Sequence, residues 1–282
     1  MHALKALKEF RIVLDKMSRE LNVMLVQPDI EWHEKENNFS KIKSLVERSF
    51  KDKIDLIVLP EMFATGFTMD QNMAEDEEGI TFSFLRDLAK KNNSYLIGTY
   101  TKKQPNEKPM NTAVVLDREG SKISEYNKIH LFSYAGEDEH YNAGGDISFF
   151  EIDGIKSSLA ICYDLRFPEL FRLMIKNNRP ELVFVVANWP EKRQVHWNSL
   201  LRARAIENQF YVCGVNRVGR DPNNSYTGGS TIIDPVGNYI HLENNLDNPL
   251  FNAEMALVGK INHEEVLNWR DKFRAIQDMK LI

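Results

Sequence analysis

Apolar runs and amphipathic stretches alternate along the first part of this chain. Residues 22–27 (NVMLVQ) and 56–59 (LIVL) are short apolar runs, and the second is a continuous run typical of a strand buried on both faces. Residues 34–50 lie between them and have apolar side chains at helical spacing, on one predicted face: Phe39, Ile42, Leu45, Val46 and Phe50. The pattern therefore predicts strands that are separated by helices.

Turn residues divide the middle of the chain into hairpins, and longer periodic stretches predict further elements. Pro168 opens a helix, because proline favours the first helical turn. Two hairpins are predicted around turns at 118–120 (REG) and 153–154 (DG), with strands over 112–116, 122–126, 148–152 and 156–161. The other predicted helices cover 81–91 and 195–209, and the other predicted strands cover 94–100, 182–187, 211–215, 230–233, 239–242 and 255–261.

The order of these elements predicts one α/β domain of mixed α+β character, in which helices cover a mixed sheet or sheets. No internal repeat, low-complexity tract or long linker interrupts the pattern. Three long loops, over 62–79, 133–145 and 219–229, are the expected places for functional side chains, because loops on a rigid scaffold tend to carry function.

Composition limits the classes of partner. The chain has 282 residues and a formal net charge of −5, which gives no global attraction to nucleic acid or to an anionic membrane. No apolar stretch approaches the ~18 residues that a membrane span needs. The 2 cysteines imply no disulfide framework, so a reducing compartment and a cytoplasmic location are expected.

The first residues are charged throughout and leave no apolar region for a secretory signal. Apolar positions step at three or four residues, which predicts a short amphipathic helix: Leu4, Leu7, Phe10 or Arg11, and Leu14. We expect residues 1–20 to form a helical N-terminal extension and residues 276–282 to form a C-terminal tail. Met17 is an alternative start.

The first candidate for chemistry is Cys162, which ends an apolar strand and precedes the helix that Pro168 opens. At a strand-to-helix turn the thiol leaves the sheet edge and backbone N–H groups can face a developing oxyanion. From position alone, a nucleophile and an inert buried cysteine are about equally supported. Cys213 lies inside the apolar run 211–215 and is predicted to be buried filler.

Two other polar residues lie at the ends of apolar runs. Glu61 follows the strand 56–59 and is either a solvated or salt-bridged glutamate at the strand edge or a general acid or base, whose carboxyl pKa burial would raise. Lys128 lies just past a strand and is either a cation beside an oxyanion or a snorkelling surface lysine. The acidic loop 136–144 contains Glu137 and Glu139 and could simply be solvated.

These signals occur in a specific order: LPE at 59–61, NKIHLF at 127–132 and CYDLRFPE at 162–169. In this order they resemble the nitrilase superfamily of carbon–nitrogen hydrolases, over about residues 22–272. The resemblance is closest to the omega-amidase branch, whose pattern is matched by LPEMFATGF (59–67), CYDLRFPE (162–169), ANWPEKRQVHW (187–197), LLRARAIENQ (200–209) and NRVG (216–219). It implies a four-layer α-β-β-α sandwich as a single hydrolase domain over residues 21–275.

The resemblance also implies roles for individual residues. Glu61 is the expected general base, Lys128 the oxyanion cation and Cys162 the nucleophile, and Glu137 matches the second glutamate of the family, with Glu139 as the alternative. The Tyr163 backbone N–H is the expected second oxyanion donor. No metal and no organic cofactor are expected, the substrate is a small linear amide, and the protein should be at least a homodimer, with contacts through 168–177 and the C-terminal segment.

The omega-amidase resemblance implies small dicarboxylate monoamides such as 2-oxoglutaramate and 2-oxosuccinamate, whose carboxylate needs a cation. The candidate arginines are Arg166, Arg202, Arg204 and Arg217. For Arg166 we favour pairing with Asp164 or Glu169 over substrate contact. Aromatic side chains that could wall a small pocket are Phe63, Phe67, Tyr134, Trp189 and Trp197.

Several alternative functions stay open at this point. Nitrile hydrolases and N-carbamoyl amide hydrolases share the catalytic trio, and a non-catalytic interaction protein on the same fold would not need it. A metal-dependent hydrolase is disfavoured because the 7 histidines form no HExxH motif and no close pair. A cysteine–histidine glutaminase would need a histidine followed at two residues by a carboxylate, and only residues 263–265 (HEE) fit, in a predicted helix cap.

Overall fold

The computed structural model describes residues 20–49, 53–244 and 252–281. The predicted extension over residues 1–20 lies outside these ranges except for Glu20, which begins the first strand. The strands are β1 (Glu20–Gln27), β2 (Leu56–Val58), β3 (Tyr95–Lys102), β4 (Met110–Leu116), β5 (Lys122–Asn127), β6 (Phe149–Ile152), β7 (Ile155–Ile161), β8 (Leu182–Val186), β9 (Tyr211–Val215), β10 (Val218–Arg220), β11 (Ser225–Thr227), β12 (Thr231–Ile233), β13 (Glu243–Asn244) and β14 (Met255–Asn262). The α-helices are α1 (Lys35–Ser49), α2 (Ile80–Asn92), α3 (Glu137–His140), α4 (Pro168–Asn177), α5 (Gln194–Asn208) and α6 (His263–Lys272).

The strands form two large sheets and one small hairpin. The first sheet has the order β13-β14-β1-β2-β3-β4-β5 and the second has the order β12-β9-β8-β7-β6. In each sheet three neighbouring strands are parallel, β1-β2-β3 in the first and β7-β8-β9 in the second, and the outer strands are antiparallel. Both predicted hairpins are confirmed, as β4-β5 and β6-β7.

Side-chain alternation along the strands builds the layers. In β1, Val23 and Leu25 point into a core between the two sheets, whereas Met24 and Val26 point into a second core under α1 and α2. A third core lies between the second sheet and helices α4 and α5, and includes Phe171. The result is a single-domain, four-layer α-β-β-α sandwich, which confirms the predicted fold.

Two parts of the chain differ from the predicted elements. Residues 239–242 do not form a strand, because Asp234 accepts the N–H groups of the following turn and only Tyr239 returns to bridge Ile233. The loop 219–229 contributes to an additional hairpin, β10-β11, whose turn is closed by the Asp221 carboxylate. No described helix is long and apolar enough to cross a membrane.

Candidate active site

The cysteine at the end of β7 has an unusual backbone. Cys162 begins a 3₁₀ turn over Cys162–Arg166 and has φ of +47°. A residue with a Cβ in this left-handed region is strained by roughly 1–2 kcal/mol, and such strain is typical of functional turns. Cys162 is half-buried and lines a cavity. Cys162 therefore lies where the sequence predicted it, at the junction between a strand and a turn.

Three further predicted side chains meet below this cavity, from three separate elements. Glu61 follows β2, Lys128 follows β5 and Glu137 begins α3. All three are buried, with side-chain exposures of 0% for Lys128, Glu61 and Glu137. The Lys128 ammonium lies 2.9 Å from Glu61 Oε1 and 3.0 and 2.8 Å from the two oxygens of Glu137. The lysine is thus a buried cation held between two carboxylates, not a snorkelling surface residue.

Two asparagines that sequence reasoning missed complete this cluster. Asn111 Nδ2 donates to Glu61 Oε1 at 2.8 Å and to Glu137 Oε1 at 3.0 Å. The Asn188 backbone N–H donates to Glu61 Oε2 at 2.8 Å, and its side-chain amide donates to the Glu61 carbonyl oxygen. The signal for Asn111 was a polar residue inside the apolar strand MNTAVVL, and Asn188 lies in the ANWPEKRQVHW motif.

The two glutamates of the acidic loop have different environments. Glu137 is buried and its Oε2 also accepts the Phe132 backbone N–H. Glu139 lies on the exposed side of α3. Of these two glutamates, only Glu137 contacts Lys128, because the two side chains point in different directions from the same helical turn.

Burial and charge set the protonation of the cluster. Burial raises the pKa of the Cys162 thiol well above its ordinary value, and the Glu61 carboxylate adds to this effect. Burial alone would lower the pKa of Lys128, but the carboxylates of Glu137 and Glu61 outweigh it and the net pKa is raised. The resting thiol is therefore protonated at neutral pH and needs a base at the moment of attack.

Burial also raises the pKa of Glu137, and the neighbouring Glu61 carboxylate adds to the rise, against the opposing effect of Lys128. Two carboxylates that share one cation resist being ionised together, because like charges in a buried site repel each other. The ionisation of this carboxylate pair therefore depends on how many N–H groups donate to it.

A buried carboxylate anchors the turn that carries the thiol. Asp164 Oδ2 accepts the Tyr126 hydroxyl at 2.7 Å and the Ile161 backbone N–H at 2.9 Å. Its Oδ1 accepts the backbone N–H of His130 at 2.9 Å and contacts His130 Nδ1 at 2.8 Å. Burial and Asp164 together raise the pKa of Tyr126, so the phenol stays a donor. One side chain thus joins the end of β7 to the segment that holds Lys128.

The cavity above the cluster has a volume of about 420 Å³. It is lined by Cys162, by four side chains that the sequence proposed and by Tyr163, whose backbone N–H was the proposed donor. The lining side chains proposed from sequence are Phe67, Tyr134, Arg166 and Trp189. Sequence reasoning did not single out other lining residues, which include Trp32, Met69, Asn188 and Arg193.

Two predicted wall residues lie elsewhere. Phe63 is fully buried in the core under α1 and α2, where it packs near Phe39 and Phe84. Trp197 lies on α5 and is fully buried in the core between this helix and the second sheet. The prediction that these two side chains wall the pocket is therefore wrong, because both are packed in the hydrophobic cores between helices and sheets.

The four arginines that were candidates for binding a substrate carboxylate also differ in where they lie. Arg204 and Arg217 are buried and donate to backbone carbonyls, and Arg202 is exposed beside Tyr239. Of these four candidates, only Arg166 lines the cavity, where its guanidinium stacks on Trp189 at 4.9 Å.

The favoured pairing of Arg166 with a neighbouring carboxylate is wrong. Asp164 is engaged by other donors, and among the described residues Arg166 forms no ion pair; its Nη2 contacts His196 Nδ1 at 3.2 Å. The Arg166 charge thus faces the cavity without a carboxylate partner.

Comparisons with known proteins agree with this site. A family model described as carbon–nitrogen hydrolase matches residues 22–257. The chain belongs to the carbon–nitrogen hydrolase family. This confirms the resemblance to the nitrilase superfamily that the sequence motifs predicted.

Two curated relatives of this carbon–nitrogen hydrolase are amidases by name. The 2-oxoglutaramate amidase of Bacillus subtilis (strain 168) is 37% identical, over 83% of this chain and 90% of the relative. Omega-amidase YafV of Yersinia enterocolitica is 36% identical, over 92% and 96%. The chain also superposes on the solved structure of XC1258 from Xanthomonas campestris, with a TM-score of 0.85 at 31% identity. The superposition covers 94% of this chain and 98% of that chain, which is a CN-hydrolase superfamily protein with an arsenic adduct in its active site.

Proposed function

We propose that this carbon–nitrogen hydrolase is an omega-amidase that hydrolyses a small linear amide to the acid and ammonia through a thioester on Cys162. The observation that carries the proposal is the thiol of half-buried Cys162, held in a strained turn at the floor of the cavity beside the buried Glu61–Lys128–Glu137 cluster.

The first half of the reaction makes the thioester. Glu61 takes the thiol proton as the sulfur attacks the amide carbon, and a C–S bond forms while the carbonyl oxygen becomes an oxyanion. The Lys128 charge and the Tyr163 backbone N–H, in the first turn after the strand, stabilise the oxyanion. Loss of one such donor typically costs ~3–4 kcal/mol of barrier. The C–N bond then breaks, and Glu61 returns its proton to the leaving nitrogen, which departs as ammonia.

The second half of the reaction removes the acyl group. Glu61 accepts a proton from water as the water oxygen attacks the thioester carbon, and Glu137 helps to orient the site by holding Lys128. The C–S bond breaks, the sulfur recovers its proton from Glu61, and the carboxylic acid leaves.

The position of Arg166 favours a substrate whose acyl group carries a free carboxylate. A guanidinium that faces the cavity and has no ion-pair partner among the described residues is suited to bind that carboxylate. We propose 2-oxoglutaramate or 2-oxosuccinamate as substrates, in line with the names of the two relatives. Phe67, Tyr134 and Trp189 would enclose the acyl chain. Nitrile and N-carbamoyl substrates remain alternatives that share the cysteine chemistry.

We also propose a homodimer or higher homo-oligomer in the cytoplasm. Support for association comes from exposed apolar side chains on α4 and near the C-terminus, where Leu173 is 40% and Phe273 54% exposed. Both cysteines are free thiols, which fits a reducing compartment.

The test is ammonia release from 2-oxoglutaramate, 2-oxosuccinamate, glutamine, a nitrile and an N-carbamoyl amino acid. We expect release from the two oxo-acid amides, loss of turnover in Cys162→Ala with an unchanged circular dichroism spectrum, and retained turnover in the matched control Cys213→Ala. Wild-type rates in Cys162→Ala, or release from none of the five compounds, would rule out the proposed function.

A further inference from the structure

Besides Lys128, the Asn111 side chain contacts both glutamates of the buried cluster. It lies on β4, is fully buried, and uses both N–H bonds of its amide on Glu61 Oε1 and Glu137 Oε1. Its backbone carbonyl also accepts the Lys128 backbone N–H at 2.9 Å. Because Lys128 Nζ donates to the same two carboxylate oxygens, the amide nitrogen, the ammonium and the two oxygens form a closed ring.

The other end of the Asn111 amide shows that this arrangement is not built for stability. The Asn111 Oδ1 is buried and has no hydrogen-bond partner among the described residues. An unpaired buried oxygen is unfavourable, and an apolar side chain of the same shape would avoid it. The reverse orientation of the amide would place its oxygen against two carboxylates, so the network itself fixes the N–H groups towards the glutamates.

The donors around each carboxylate leave different amounts of free acceptor capacity. A carboxylate has about four acceptor positions, two on each oxygen. In Glu137 both oxygens receive two donors: Lys128 and Asn111 on Oε1, and Lys128 and the Phe132 N–H on Oε2.

In Glu61, Oε1 also receives two donors, from Lys128 and Asn111, but Oε2 receives only the Asn188 N–H. Among the described residues, the one acceptor position that stays open in the pair is therefore on Glu61 Oε2.

We propose that Asn111 is a positioning residue that saturates the two Oε1 atoms and thereby leaves Glu61 Oε2 as the single acceptor for the Cys162 proton. Asn111 does not touch the reacting atoms; it selects Glu61 over Glu137 as the base and fixes which of its oxygens accepts the proton. This inference rests on the proposed cysteine-dependent function.

Removing the amide has a consequence that a purely structural residue would not have. Without its two N–H bonds the carboxylate pair loses donors that stabilise its ionised form, so the pair takes up a proton at a higher pH. The base is then lost earlier as the pH falls. A rotated carboxylate also offers the wrong oxygen, and small misplacements of this kind can cost about 100-fold in rate.

The test compares Asn111→Leu, Asn111→Ser and Asn111→Asp with wild type. We measure kcat and KM for the best amide across pH, and the pH dependence of Cys162 alkylation by iodoacetamide. We expect kcat to fall by about 10- to 100-fold in the leucine and serine variants with KM changed by less than threefold, and the acid limb of kcat/KM to move to higher pH. Asn111→Asp adds a third carboxylate and should move this limb further.

The matched control is Asn37→Asp. The Asn37 amide also donates to a glutamate, Glu31, at 2.9 Å, but on the exposed surface. This variant adds the same charge and should keep the wild-type pH profile.

The serine variant keeps the test informative if the leucine variant does not fold. Wild-type kcat and an unmoved acid limb in a folded Asn111 variant overturn the inference, as does an equal drop of kcat at every pH. An inactive wild type would instead overturn the proposed function, so the two failures are distinguishable.

Discussion

Arg166 shows at the scale of one residue how burial and partners decide a role. Of the four arginines that the sequence proposed for a substrate carboxylate, Arg204 and Arg217 are buried on backbone carbonyls and Arg202 is exposed elsewhere. Arg166 stacks on Trp189 inside the cavity and has no carboxylate partner among the described side chains. A stacked guanidinium is held in place at little entropic cost, which suits it to a planar carboxylate.

Replacing Arg166 by glutamine removes this charge while keeping most of the side-chain length. We expect KM for 2-oxoglutaramate to rise by about 10- to 100-fold, the range of ~1.5–3 kcal/mol for a charge-assisted hydrogen bond, with little change for an uncharged amide. Steady-state kinetics on both substrates measures the difference. Arg202→Gln, which removes an arginine that lies over the Tyr239 ring and does not line the cavity, should behave as wild type. Equal losses on both substrates would contradict carboxylate binding by Arg166.

The two glutamates of the acidic loop make a matched pair for a test of pH dependence. Burial raises the pKa of Glu137, so its carboxylate takes up a proton at a higher pH than an exposed glutamate, whose pKa lies near 4.3. Protonation weakens its hold on Lys128, so activity should decline on the acid side at a higher pH than an exposed glutamate would cause.

Glu137→Gln mimics the protonated form and should lower kcat by at least 10-fold, whereas Glu139→Gln on the exposed side of α3 should leave the pH–rate profile unchanged. The readout is kcat/KM between pH 4 and 9. An acid limb below pH 4, or a larger effect from Glu139→Gln, would contradict the assignment of Glu137 to the site.

At the scale of elements, Asp164 joins the end of β7 to the segment after β5. It accepts hydrogen bonds from the Tyr126 hydroxyl and from the backbone N–H groups of Ile161 and His130, and its Oδ1 also contacts the His130 ring nitrogen Nδ1. A carboxylate can satisfy all of them, because it accepts with both oxygens. The strained φ of Cys162 is thus held by a contact that also fixes the chain next to Lys128.

Asp164→Asn should disrupt this junction, because the amide would turn two N–H bonds towards existing donors. We expect a loss of about 2–4 kcal/mol in the free energy of unfolding, since buried donors are left unsatisfied, and a kcat reduced by at least 10-fold. Chemical denaturation and ammonia release measure the two effects.

Asp234→Asn is the matched control for that variant, because Asp234 also accepts several backbone N–H groups in a turn but lies away from the cavity. It should lose stability and keep its turnover per folded molecule. Full activity in a destabilised Asp164→Asn would show that the junction supports the fold alone.

At the scale of the whole molecule, the exposed apolar side chains of α4 and the C-terminal segment are the proposed contact between two copies. Leu173→Glu places a charge on this surface and should shift the protein towards monomer, because burying an unpaired charge in an interface is costly. Sedimentation velocity over a range of concentrations measures the mass.

Ile123→Glu is the matched control, since Ile123 on β5 is also 40% exposed and lies outside the proposed contact. It should keep the wild-type mass. A wild type that sediments as a monomer at every concentration would contradict the proposed association, and a dimer that survives Leu173→Glu would place the contact elsewhere.

The sequence by itself determined the elements and the family, because both depend on local order along the chain. Apolar runs, turn residues and helical spacing predicted most strands and helices, and the ordered motifs around Glu61, Lys128 and Cys162 identified the hydrolase. The segment 239–242 was predicted wrongly because a turn capped by Asp234 overrides its strand-like composition.

The tertiary structure alone decided which side chains meet. Phe63 and Phe67 lie in one irregular turn, where no periodicity tells which ring faces the core, and packing under α1 and α2 takes the first and leaves the second at the cavity. The choice of Glu137 over Glu139 and the bridge made by Asn111 depend in the same way on contacts between elements that are distant in sequence. Such contacts are set by how the layers pack, and no local pattern along the chain encodes them.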